Sequence, residues 1–152
     1  MFRVCALWTE VPEDTYELPF GKAALRREGN HVTLVSNLLM LHRSLIAAQQ
    51  LEKEEEISVE VIDPRTLVPL DVTTIAKSAG KTGCLVVVEE CQPTGSWGSE
   101  VIASVCEHLK GTIRVKRIGT PPTPIPYTTC LENYVIPDVE RIKRGIREIT
   151  RE

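Results

Sequence analysis

A three-layer α/β domain, with a mostly parallel sheet between two layers of helices, is the fold class that the sequence predicts, and three observations predict it. Short β-branched runs alternate along the chain with amphipathic stretches of helical period, a rhythm that calls for right-handed crossovers and parallel pairing. One run, CLVVV from Cys84 to Val88, is apolar without a break, as a strand covered on both faces is. A chain of 152 residues, 42% hydrophobic and 26% charged, holds enough apolar material for the core of one domain rather than two or three.

Residues 1–20 end in VPEDTYELP, where two prolines and three acidic residues without periodicity read as an extended arm or linker, so the folded domain is placed at 21–152. AALRRE (23–28) and HVTLVS (31–36) read as an edge strand turning at Gly29-Asn30 into a more apolar strand. From Leu39 to Glu54, Leu41, Leu45, Ala48 and Leu51 recur at three- and four-residue steps while Arg43, Gln49, Gln50 and Lys53 fall elsewhere, which predicts an amphipathic helix. Its acidic end, EKEEE at 52–56, reads as solvated. Ile57 to Ile62 alternates and stops at Asp63-Pro64, as a strand does. In the stiff link that follows, Arg65 is placed for a local ion pair or a contact across an interface. Asp71 caps a helix from Val72 to about Ala79, and Gly80 and Gly83 bracket the turn into Cys84.

Beyond PTGSWGSE (93–100) a helix runs from about Ser99 to Leu109, capped by Ser96 or Ser99, and Ile113 to Ile118 alternates as the last strand. Five prolines between 119 and 137 predict an irregular connection across the surface. Val139, Ile142, Ile146 and Ile149 then form the stripe of a closing helix, with Arg141, Lys143, Arg144 and Arg147 away from it.

Charge narrows the function classes. Eighteen Lys and Arg against 21 Asp and Glu leave a net charge of -3, too balanced to point to nucleic acid or a membrane surface as partner. The five cysteines, Cys5, Cys84, Cys91, Cys106 and Cys130, are odd in number and never two residues apart, which reads as a reduced, cytoplasmic chain without a zinc knuckle. The opening apolar stretch, Phe2 to Trp8, is broken by Arg3 and too short for a membrane span or a signal sequence.

Open parallel sheets bind ligands at the carboxyl ends of their strands, so Ser36-Asn37-Leu38 and Glu89-Glu90-Cys91 are the segments where chemistry would sit, lining one crevice. Gly95 and Gly98 before a helix can offer backbone N–H groups to a phosphate, or can simply supply the freedom a tight turn needs; the spacing is not G-x-G-x-x-G and no P-loop lysine follows. Glu89 and Glu90 are adjacent on a strand end and point to opposite sides, the wrong geometry for two carboxylates sharing one bond. His31, His42 and His108 read as surface or interface residues, and Cys91 as an inert thiol, although a helix start can lower a thiol's pKa. Trp97, Tyr127 and Tyr134 fall in irregular segments, where amphipathic aromatics anchor protein contacts. No catalytic, cofactor-binding or metal-binding residue is assigned.

Taken in order, VPEDTYELPFGKA, HVTLVSN, SVEVIDPRTLVPLD, KTGCLVVVEECQPTGSWGSEV and PTPIPYTTCLE resemble the transketolase C-terminal domain family, most closely as it occurs in beta subunits of thiamine-diphosphate-dependent pyruvate and other 2-oxo acid dehydrogenases. The resemblance implies a five-stranded sheet whose first strand is antiparallel. It also implies that the glutamate activating the cofactor lies in a preceding domain and that the alpha subunit holds thiamine diphosphate and magnesium, so this chain binds neither alone and cannot decarboxylate by itself. It would be the C-terminal part of such a subunit or a standalone relative, and MFRVCALWTE departs from the family's usual approach to VPED.

The implied role is assembly with the alpha subunit and a second beta subunit, self-association, and docking of the subunit-binding domain of an acyltransferase core. Thr94, Gly95, Trp97, Gly98 and Glu100, with Pro124 and Tyr127, would face those partners, together with the final helix. Gly95-Ser96 replaces the family's Gly-Gly, and Lys110-Gly111-Thr112 stands where an acidic residue is usual, against a basic docking module. The alternatives are the matching domain of a transketolase or deoxyxylulose phosphate synthase, acting on sugar phosphates, and a free-standing interaction module that has lost the enzyme.

Overall fold

The computed structural model describes residue 10 and residues 13–151; Cys5 and the rest of the opening apolar stretch lie outside the described residues. Along the chain run β1 (Ala24–Arg27), β2 (Val32–Ser36), α1 (Leu38–Glu55), β3 (Val59–Asp63), α2 (Val72–Thr82), β4 (Cys84–Val88), α3 (Trp97–His108), β5 (Arg114–Ile118), α4 (Thr129–Val135) and α5 (Val139–Arg151). The strands form one sheet in the order β1-β3-β2-β4-β5, with β1 antiparallel to β3 and every other pairing parallel.

The unbroken apolar run of β4 has the physical cause expected of it. Val86 and Val88 enter one core with Leu34 of β2, Met40, Ala47 and Leu51 of α1, and Ile142 and Ile146 of α5. Leu85 and Val87 enter a second core with Val35, Ile75 and Ala79 of α2, and Val101 and Val105 of α3. Period-two alternation thus splits each central strand between two helix layers, α1 with α5 and α2 with α3. The α/β/α sandwich and the single antiparallel strand are as anticipated.

Four local expectations are corrected. β1 and β2 do not form a hairpin, because β3 lies between them. Every residue of β2 is buried and both its edges are paired, with β3 and β4, so β1 is left the outer place beyond β3. The Gly29 turn crosses β3 so closely that a Cβ on Gly29 would overlap Glu60 N and Val59 C and stand 2.7 Å from Val59 O. Second, α2 runs through Gly80 to Thr82 and stops at Gly83, since Gly80 sits against the Leu109 side chain without breaking the ladder. Third, the proline-rich connection contains α4, which fits into the gap between Pro126 and Pro137. Fourth, Arg65 forms no ion pair among the described residues; its backbone N–H donates to Asp63 Oδ1 at 2.9 Å from a left-handed φ of 58°.

Polar side chains stitch the layers. Lys143, read as lying off the apolar stripe, is buried, and its Nζ donates to Glu54 Oε2 at 2.8 Å and Gln50 Oε1 at 3.1 Å. Arg147 binds Glu55 at 2.6 Å, so the acidic end of α1, exposed from Glu52 to Glu56 as expected, also forms a seam to α5. Asp71 ties three segments, accepting from Ala23 N at 3.0 Å, Thr74 N at 3.2 Å and Thr74 Oγ1 at 2.8 Å. Burial raises its carboxyl, but these hydrogen bonds outweigh burial and hold it below the ordinary 3.8. Burial likewise raises Glu60, while Lys81, Ser78 and the Gly29 N–H bring it below 4.5.

A carboxyl depressed by folding contributes stability that is complete above its unfolded pKa and lost as pH falls through the folded one. The wild-type chain therefore loses stability below about pH 4.5, and the double variant Asp71→Asn, Glu60→Gln is expected to be weaker at pH 7 with a flatter acid limb. Urea midpoints measured from pH 7 to pH 3 check this; parallel curves for the two proteins would refute it.

Candidate functional site

At the carboxyl end of β4 the chain turns through residues 89–96 into α3, and the turn is organised by one side chain. Glu89 is fully buried. Its carboxyl oxygens accept from Ser96 Oγ at 2.6 Å, Gly98 N at 3.2 Å and Cys91 Sγ at 3.3 Å. Gly98 is what permits this approach, because a Cβ there would stand 2.8 Å from Glu89 Oε1 and 2.9 Å from Val87 Cγ1. Ser96 is the N-cap residue by position, yet its hydroxyl turns inward to Glu89 and to Pro93 O at 3.1 Å.

The start of α3 therefore already holds a carboxyl group from its own chain. A free helix N-terminus is an anion site because its first N–H groups lack partners. Here the Gly98 N–H is taken by Glu89 and the Ser99 N–H by Ser96 O. The outer side of the turn is fixed by Pro93 O, which accepts from Ser99 Oγ at 2.9 Å and Arg117 Nη1 at 2.7 Å, and by Thr120 N donating to Cys91 O at 3.0 Å. Burial, then the Glu89 hydrogen bond and charge, push the Cys91 thiol up to about 11, the reverse of the lowering a helix start can give.

Ser36 and Glu89 do not line one crevice. Ser36 ends the strand next to β4 but its Oγ donates to Ser44 on α1, whereas Glu89 faces α3 on the other side of the sheet. His31, His42 and His108 are exposed, and the His31 Nδ1 accepts from Ser58 N.

Of the residues singled out for partner contact, Gly95, Trp97 and Glu100 share a surface groove with Leu67, Val68 and Leu70. Gly98 lies beneath it, buried against Glu89, and Thr94 is exposed nearby. Trp97 is the first residue of α3 rather than part of a loop, and its partly buried side chain packs on the second core. Tyr134 likewise stands on α4. Pro124 and Tyr127 lie on the separate segment after β5, and Tyr127 is 99% exposed. Leu67 and Val68 were missed from the sequence; Val68 is 91% exposed, and an apolar pair inside a proline-bounded loop was the available signal.

The donors here do not fit magnesium and a diphosphate. Among the described residues no group of three or more His, Cys, Asp and Glu side chains is placed to hold a metal, and the buried carboxyl of Glu89 is consumed by its own turn. No described helix is long and apolar enough to cross a membrane.

Residues 21–142 match the family model described as "Transketolase, C-terminal domain". The chain is 39% identical over 141 residues to the acetoin:2,6-dichlorophenolindophenol oxidoreductase subunit beta of Cupriavidus necator, covering 91% of this chain and 41% of that one. It is 44% identical over 140 residues to the mitochondrial pyruvate dehydrogenase E1 component subunit beta of Pisum sativum, covering 91% and 39%. It thus spans about two fifths of the length of these relatives. Among solved structures, a split-gene transketolase described as an inactive beta4 tetramer superposes with a TM-score of 0.79 at 27% identity, over 93% of this chain and 47% of that chain.

Proposed function

Because the chain belongs to the transketolase C-terminal domain family, we propose that it is the assembly and partner-docking domain of a beta subunit of a thiamine-diphosphate-dependent 2-oxo acid dehydrogenase of the pyruvate dehydrogenase type. One observation carries the reading: the end of β4 is built as a fixed platform, with Glu89 locked beneath a turn whose outer side bears an open apolar groove. Such a surface suits protein contact, where a rigid aromatic anchor in a preformed groove contributes most.

In this reading residues 1–20 lead from the rest of the subunit and 21–152 form the domain, in keeping with a family match that begins at residue 21. Thr94, Gly95, Trp97, Gly98 and Glu100 contribute to docking, with Pro124 and Tyr127 as a second contact and Leu67 and Val68 joining the first. The partners are an alpha subunit, a second beta subunit and the subunit-binding domain of the acyltransferase core. Thiamine diphosphate with magnesium supplies the decarboxylation chemistry in the complete enzyme, away from this domain. The names of the two relatives differ in substrate, acetoin and pyruvate, which supports a domain that does not choose the substrate. The unpaired thiols of Cys84, Cys91, Cys106 and Cys130 are in keeping with a cytoplasmic setting.

The test is co-expression of the full subunit with its alpha subunit and measurement of the complex dissociation constant. Trp97→Ala is expected to weaken assembly by about thirtyfold, the cost of a buried aromatic anchor. Val68→Ser, at a site 91% exposed, keeps the fold and is expected to weaken assembly less. Unchanged assembly in both variants would exclude the groove as the interface.

The likeness to a split-gene transketolase favours a second reading, in which the turn at Gly95 to Glu100 holds a sugar phosphate. Amide shifts at residues 95–100 on adding a sugar phosphate would support it. The prior capture of the Gly98 N–H by Glu89 weighs against it.

A further inference from the structure

We propose that the outer edge made by β5 and α5 is a docking surface for an extended, acidic segment of a partner protein. β5 is the last strand of the sheet, and Arg114, Lys116 and Arg117 stand on it. α5 packs beside it and adds Arg141 and Arg144, which both line the two clefts on this side of the molecule.

The state of these cations is what points to a ligand. Arg114 Nη1 donates to Ile149 O at 2.7 Å, Arg117 Nη1 to Pro93 O and Ser99 Oγ at 2.7 Å each, and Arg141 to Gly119 O at 2.7 Å and Val135 O at 3.2 Å. Carbonyl and hydroxyl partners orient a guanidinium without neutralising it. Arg144 is exposed, and its charge, behind that of Lys116, helps to hold the Glu148 carboxyl below its ordinary value. Three carboxylates share the clefts: Glu148 pairs with Lys116 and feels the charge of Arg144, Glu140 pairs with Lys143, and Asp138 accepts the Arg141 backbone N–H at 2.7 Å. Five cations, Arg114, Lys116, Arg117, Arg141 and Arg144, thus outnumber the three carboxylates Asp138, Glu140 and Glu148 on one edge of a chain whose net charge is -3.

Their spacing selects the partner. Arg114 and Arg117 are three residues apart on a strand, about 10 Å, and Arg141 and Arg144 are nearly a turn apart on a helix, about 4.5 Å. Lys116 faces α5 while Arg117 reaches Ser99 on α3, so the charges line both sides of the edge and do not converge on a point. A single phosphate cannot meet them together, whereas carboxylates spread along a peptide can. A nucleic acid would meet the same stripe, but the negative remainder of the chain repels a long polyanion.

The inference deepens the docking reading at the last helix, and its test is separate from subunit assembly. The full chain is titrated with a labelled peptide of roughly a dozen alternating glutamates and serines, followed by fluorescence anisotropy. Saturable binding that weakens with added salt is expected, with Arg144→Glu weakening it by about fivefold at an unchanged unfolding midpoint, and Lys116→Glu added to it weakening it further. The lysine-serine counterpart should not bind. Absence of saturable binding, equal affinity in Arg144→Glu, or equally tight binding of a single-stranded oligonucleotide of matched charge would overturn the proposal. A chain that fails here yet assembles with its alpha subunit leaves the docking reading intact; one that binds the peptide yet fails to assemble removes that reading alone.

Discussion

Gly29→Ala is expected to destabilise the domain by about 3 kcal/mol, lowering the unfolding midpoint by about 10 °C. The added methyl group has backbone, not side chain, in its way: it overlaps Glu60 N and Val59 C and meets Val59 O at 2.7 Å. Flexible side chains can swing aside, but the start of β3 cannot. It is held by parallel pairing to β2, Val59 beside Val32 and Glu60 beside Thr33, and the strand is fixed further along, from Val61, by β1. Relief must come from lifting the turn, which breaks the Gly29 N–H bond to Glu60 Oε2 and strains the bond from His31 N to Ser58 O at 2.9 Å. Asn30→Ala, one residue on and exposed, should stay within about 0.5 kcal/mol. Thermal and urea unfolding of the two variants separate a steric cause from a general sensitivity of the turn, and equal midpoints would show that the crossing is not tight.

Glu89→Ala is expected to cost about 3 kcal/mol as well, but by the opposite route, through loss rather than overlap. It leaves the Gly98 N–H buried without its acceptor and removes the nearest of the three partners of Ser96 Oγ. A buried donor stripped of its partner costs about 1–3 kcal/mol, and the vacated volume adds to it. Glu89→Gln keeps the volume and one acceptor oxygen while presenting an NH2 group to the other donors, so an intermediate loss is expected. Hydrogen exchange gives the more pointed readout: the Gly98 amide should lose protection in Glu89→Ala while amides in the middle of β4 keep theirs. Retained protection would mean that helix packing, not Glu89, holds the turn.

Much of this architecture was legible because it follows from local period. CLVVV at 84–88, the alternation ending at Asp63, the Asp71 cap and the Ile142–Ile146–Ile149 stripe each declare their element within a few residues. What escaped depends on neighbours distant in sequence. Gly29-Asn30 has the composition of a hairpin turn, and only the burial of β2 on both sides reveals that β3 must come between. Lys143 looks like a solvent-facing lysine until Glu54, 89 residues away, meets it. α4 was hidden because prolines flank a helix as readily as they forbid one. At the candidate site the turn and its tryptophan were visible, since Gly95, Trp97 and Gly98 punctuate the run. The burial of Glu89 was not, because a glutamate pair at a strand end ordinarily signals exposure.

A β-sheet is open to growth at its two outer strands, where backbone N–H and C=O groups await another chain. At one border this sheet ends in β1, four residues long and irregular in register between Leu25 and Arg27, a poor template for strand addition. At the other, two copies approaching along β5 would set Arg114, Lys116 and Arg117 against their own counterparts, and like charges across a strand pair repel. Resistance to polymerisation is therefore geometric at one border and ionic at the other. Concentrated salt can weaken only the second, so any fibrous association of this domain should begin at β5.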